Sequence, residues 1–162
     1  MTFRVWNKAF DLLMVNEGGY VDDKKDTGGE TKYGISKKQY PDLDIPSLTM
    51  CQAKDIYYRD YWTRCKCDLL PDCLSVMVFD FAVNSGCSRA IKLLQECLGV
   101  AADGKIGNAT LGAANSCKKS EIVQKYSQAR LEFIQALKGF KRFGKGWTAR
   151  IVRVEKVAET LI

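Results

Sequence analysis

The stretch PDCLSVMVFDFAVNSG, residues 71–86, constrains this chain more than any other. Pro71 suits a helix start, because the N–H it lacks would have no partner in the first turn anyway, and Gly86 suits a helix end. The residues between them are apolar on nearly every side, whereas a surface helix shows one apolar stripe. A helix of that kind must be covered all round, so the rest of the chain has to wrap it.

The wrapping is readable from periodicity. Residues 3–16 fit a helix with Val5, Trp6, Phe10, Leu13 and Met14 on one face, closed by Gly18 and Gly19. Thr49 caps a helix over about 50–62 that carries Ala53, Ile56, Tyr57 and Tyr61 on one side. Ser88 opens a helix closed by Gly99, a short helix lies near Thr110–Ala114, and a long one covers about 120–138. Residues 139–146 read as a basic, aromatic loop, with a last helix from about Trp147.

Residues 20–35 differ. Tyr20 and Val21 begin an extended stretch, DDKKDTGGE makes a polar turn, and Thr31, Tyr33 and Ile35 alternate as in a strand. The expected architecture is mainly α, of α+β type: a small N-terminal β-hairpin lobe packed against a helical bundle lobe. It forms a single two-lobed domain over 1–162, divided into 1–68 and 69–162, with a cleft between the lobes as the place for a ligand.

The chain has no His among its 162 residues. That excludes the usual general base of Ser and Cys hydrolases and the usual ligands of a catalytic zinc, and leaves carboxylates, Tyr, Lys or Cys for any chemistry. The seven cysteines form no CxxC pair, and Cys65-Lys-Cys67 offers too few ligands for a soft metal, so reduced thiols and no metal or other cofactor are expected. No apolar stretch is long enough to cross a bilayer, and MTFRVWNKAFDLLMV reads as an amphipathic helix rather than a signal peptide. The net charge of +6 is uneven: residues 118–162 hold eleven Lys or Arg against four Asp or Glu. Such a region attracts anionic lipid, nucleic acid or cell wall, or is simply a solvated face.

Glu17 stands where the first helix meets Gly18-Gly19, Asp26 follows nine residues later in the turn, and Thr31 five residues after that. Folding the hairpin past the helix end can bring all three to one wall of the cleft, and two carboxylates flanking a sugar bond are the usual glycosidase arrangement. The helix C-terminus, and burial against Tyr or Trp, would both raise the pKa of Glu17 and suit it to be a general acid. Asp26, among Lys24, Lys25 and the amides of Gly28 and Gly29, would stay ionised. Spacing alone does not separate this from a solvated Glu and a turn-forming Asp. Tyr20, Tyr33 and Trp147 offer faces for sugar rings or for core packing. Asn84 can meet an N-acetyl group or cap its helix. Arg150 can meet a stem-peptide carboxylate or pair with a nearby acid.

The run NEGGYVDDKKDTGGETKYGIS resembles the N-terminal signature of glycoside hydrolase family 108, lysozyme-like N-acetylmuramidases found in phages and prophages and sometimes labelled secretion activator proteins. DFAVNSG is similar to the family's central helix, and ADGKIGNATLGA and GKGWTARIVRVEKVA to its C-terminal peptidoglycan-binding portion, here from about residue 87. Lys24 and Thr27 stand where the family commonly has Pro, Lys32 where it has Asn, and Asn108 where it has Pro. The resemblance implies a lysozyme-like fold and a catalytic Glu17. It also implies an endolysin-type peptidoglycan hydrolase, cleaving the β-1,4 bond between N-acetylmuramic acid and N-acetylglucosamine. The implied partner is the glycan strand, with no nucleic acid and no stable membrane insertion. The enzyme would be a monomer, made in the cytoplasm and acting on the wall after release by another route. The rivals are a lytic transglycosylase using Glu17 alone and a non-catalytic wall or nucleic-acid binding module.

Overall fold

The computed structural model describes residues 2–17, 20–22 and 29–162. Among these, helix α1 (Thr2–Asn16) is followed by strands β1 (Val21–Asp22), β2 (Glu30–Lys32) and β3 (Ile35–Ser36). Six further helices come next: α2 (Met50–Tyr57), α3 (Asp72–Ser85), α4 (Cys87–Leu98), α5 (Asn108–Ser116), α6 (Lys119–Gln135) and α7 (Phe140–Glu159). The fold is mainly α with one small antiparallel sheet near the N-terminus, ordered β1-β2-β3.

The apolar run forms α3, and every residue from Cys73 to Ala82 is buried, Asp80 included. Helices α1, α4 and α7 pack against it, which satisfies the requirement that such a helix be covered. Trp6 of α1 touches Trp62 and Phe79 with ring centroids 5.3 and 5.2 Å apart, and burying side chains of this size stabilises by roughly 1.5–3 kcal/mol each.

Thr49 caps α2 as expected: its hydroxyl accepts from the Gln52 amide at 3.2 Å, and the Gln52 carboxamide accepts from the Thr49 amide at 2.8 Å. The helix does not continue as α to residue 62. It widens into a π-helical turn, Tyr58–Thr63, of the kind that often marks functional sites.

Two sequence expectations are corrected. Tyr33 does not continue the strand alternation. Lys32 pairs with Ile35, so Tyr33 and Gly34 form a two-residue hairpin loop, with φ of 53° and 76° at the two positions. Positive φ at both positions matches the twist of the flanking strands. Residues 139–146 are not a loop, since α7 begins at Phe140. The bare α-carbon of Gly144 lies against the Phe140 ring, and that of Gly139 against Trp147, so close ring packing replaces the helix propensity that glycine lacks. All seven cysteines are free thiols.

Candidate active site

Glu17 directly follows α1, and its side chain is 23% exposed. Its carboxylate sits over the β2–β3 turn. A Cβ built on Gly34 would lie 2.5 Å from the Tyr57 hydroxyl and 2.6 Å from Glu17 Oε2. The turn therefore needs glycine twice, for its positive φ and for the room that Tyr57 and Glu17 occupy. The Tyr57 hydroxyl donates to the Tyr33 carbonyl at 2.8 Å, which ties α2 to the turn beside the acid.

Behind Glu17 lies a buried charge network. Arg150 of α7 approaches Glu17 Oε1 at 3.6 Å through Nη1. Its Nε donates to both Asp80 oxygens at 3.1 and 3.2 Å, and its Nη2 to Oδ1 at 2.9 Å. Arg130 of α6 reaches the other side of Asp80, Nη1 to Oδ2 at 2.7 Å. Burial alone would raise the Asp80 pKa, but the two guanidinium groups outweigh it and hold the carboxyl below the ordinary range. Glu17 is shifted the opposite way: desolvation raises its pKa and the Asp80 charge adds to this, while Arg150 opposes without reversing it.

Glu17 opens onto a cavity of about 200 Å³ lined also by Gly34, Tyr40, Tyr57, Tyr61 and Asn84. Gln39, Tyr40 and Tyr61 also line a neighbouring open hollow of about 600 Å³ that includes Asp60, Arg64 and Ser88. The Tyr40 hydroxyl donates to Asp60 at 2.6 Å, which fixes Tyr40 in the wall the two cavities share. On the other side, Asn84 borders a small depression that holds Trp147. A carboxyl of raised pKa in a cavity lined by Tyr and amide side chains is equipped to protonate a leaving oxygen on a polar ligand.

The remaining sequence candidates fall as follows. Asp26 lies outside the described residues, as do Gly18 and Gly19. Thr31 is on β2 with its hydroxyl donating to the Gly29 carbonyl at 3.3 Å, and it is not in the described lining of the Glu17 cavity. Tyr20 is exposed on the sheet side and donates to Glu30 at 3.3 Å. Tyr33 stands in the turn, with the Lys32 ammonium over its ring. Arg150 is buried and bound to Asp80 and Glu17, so of its two expected partners the structure shows the nearby acids.

Sequence reasoning missed Asp80 and Arg130. The signal for Asp80 was present: one charge inside an all-apolar helix has to be paired, and its partners must come from the surrounding helices.

Residues 10–86 match the family model described as Glycosyl hydrolase 108, and residues 89–152 match one described as Predicted Peptidoglycan domain. A solved structure described as "Structure of Brucella abortus SagA" is similar at 36% sequence identity with a TM-score of 0.88, over 99% of this chain and 97% of that one. The chain belongs to the glycosyl hydrolase 108 family. No curated protein matches it. The two matched segments identify a glycoside hydrolase of lysozyme-like fold whose polymer is peptidoglycan. They also share the charge network at Glu17: Glu17 and Asp80 come from the glycosyl hydrolase segment, while Arg130 and Arg150 come from the peptidoglycan segment.

Proposed function

We propose that this family member is an N-acetylmuramidase. It hydrolyses the β-1,4 bond between N-acetylmuramic acid and N-acetylglucosamine, in the manner of a lysozyme-type endolysin, with Glu17 as general acid. The observation that carries the reading is the placing of Glu17, a partly buried carboxyl that lines a cavity with Arg150 3.6 Å away, and burial pushes its pKa up. In this reading Glu17 protonates the glycosidic oxygen as the bond breaks, and the sugar left behind takes on oxocarbenium character. Asp80 is enclosed by two arginines and cannot serve as the second carboxylate. That role falls to Asp26, which either stabilises the sugar cation or directs a water, with Thr31 helping to hold the water.

Asn84 borders the Glu17 cavity and Trp147 the depression next to it, and in this reading they extend substrate binding, Asn84 to an N-acetyl group and Trp147 to a ring face. Tyr20 and Tyr33 offer further ring faces on the sheet side. Residues from about 87 onward form the wall-binding portion of one two-lobed, monomeric domain, and their excess of Lys and Arg holds the enzyme on an anionic wall.

The test is mass spectrometry of the soluble products from purified peptidoglycan. The reading expects one water added per cleaved bond and N-acetylmuramic acid at the new reducing end. Products ending in a 1,6-anhydro sugar would make the protein a transglycosylase, a reducing N-acetylglucosamine end would move the cleaved bond, and no soluble product would leave a binding module.

A further inference from the structure

The charge behind Glu17 is the least expected feature of the molecule. A single arginine 3.6 Å from a carboxyl stabilises the ionised form and works against an acid that must stay protonated. Here Arg150 is accompanied by a second buried cation, Arg130, which would deepen the conflict. Asp80 lies between the two, 97% removed from solvent, and accepts from both guanidinium groups.

We propose that Asp80 is a positioning residue for the glycosidase reaction. It compensates the buried arginines, so that Arg150 orients the Glu17 carboxyl without taking it out of its protonated state. The inference rests on the reading of Glu17 as general acid, but its physical content, control of Glu17 ionisation by Asp80, stands apart from catalysis. With Glu17 protonated, the four groups carry one net positive charge; with Glu17 ionised, they are neutral. Replacing Asp80 by a neutral residue adds one positive charge to both states and favours the ionised Glu17. Replacing Arg130 does the reverse.

The other charged or titratable groups facing this corner are few among the described residues. Tyr57 comes from α2, Tyr40 and Tyr61 line the cavity, and Arg153 of α7 binds the Asn16 side chain at the end of α1. Burial and the neighbouring Glu17 push the Tyr57 pKa up, so Tyr57 stays neutral at working pH. Asp23, Lys24, Lys25 and Asp26 lie outside the described residues and are unchanged in every variant compared below.

The experiment follows two readouts in native protein, Asp80→Asn, Arg130→Gln and the double variant. One is the carboxyl ¹³C titration of Glu17, assigned by its loss in Glu17→Gln. The other is the alkaline limb of kcat/KM against pH. Asp80→Asn should move both to lower pH by about one unit, Arg130→Gln should move both upward, and the double variant should return toward native. A merely structural Asp80 would lower stability without moving either midpoint in opposite directions, and that result overturns the proposal. Should Asp80→Asn fail to fold, Arg130→Gln and Asp80→Glu decide it: the first must still shift upward and the second must keep the native midpoint. If the Glu17 titration shifts while the rate profile does not, control by Asp80 stands and the assignment of Glu17 as general acid fails.

Discussion

Gly34→Ala tests the geometry of the site at a single methyl group. The new Cβ would stand 2.6 Å from Glu17 Oε2 and 2.5 Å from the Tyr57 hydroxyl, where ordinary contact begins at 3.4 Å. The Glu17 carboxyl must then withdraw by about 0.8 Å, the difference between 3.4 and 2.6 Å. A displacement of about 1 Å at a catalytic group costs on the order of 100-fold in rate, so kcat/KM on peptidoglycan should fall by roughly 10- to 100-fold. Stability suffers on two counts, at about 1–2 kcal/mol for a side chain at φ +76° and about 1–3 kcal/mol for crowding. In a chain of this size each kcal/mol moves Tm by roughly 2–4 °C. Gly99→Ala is the control: its φ is +72° but nothing lies within 4 Å of the added carbon. It should lose about 1–2 kcal/mol and keep full activity below its melting temperature. Full activity in Gly34→Ala, or an equal loss in Gly99→Ala, refutes the claim that this turn sets the position of the acid.

Three further outcomes follow from the charges. The folded-state pKa of Glu17 is raised above its ordinary 4.5, so its stabilising contribution is complete below that value and lost as pH rises through the folded pKa. Glu17→Gln should therefore melt above native protein at neutral pH, with the gap closing in acid, as calorimetry at several pH values would show. The Asp80 pKa is lowered, so its contribution is complete above about pH 4 and lost as pH falls through the lower folded value; Asp80→Asn should flatten the acid limb of Tm against pH. Binding of Glu17→Gln to sedimented peptidoglycan should weaken between low and physiological salt if the basic C-terminal third provides the attraction, and binding that ignores salt would assign it to uncharged contacts.

Much of the fold was legible because its strongest signals are local or compositional. The all-apolar 71–86 stretch demanded a covered helix, and α3 is one. Thr49 marked a helix start, and the structure completes it with Gln52 as a capping box. The end of α1 placed Glu17 at a helix terminus beside a small sheet. What was not legible depends on partners distant in the chain. The start of α7 is fixed by the Phe140 and Trp147 rings lying on glycine α-carbons, which no propensity scale records. Tyr33 left its strand pattern because the register is set by a two-residue turn. The Glu17–Arg150–Asp80–Arg130 network joins α3, α6 and α7 to the residue that follows α1, and only Asp80, as a charge in an apolar helix, announced that something must come to meet it.

The most direct measurement of the central claim is turbidity clearance of purified peptidoglycan by native protein and by Glu17→Gln, with sedimentation of each on the same material. The account predicts that native protein clears the suspension, and that Glu17→Gln binds as well but clears at least a hundredfold more slowly. Clearance at the native rate by Glu17→Gln would remove this carboxyl from the chemistry and contradict the account.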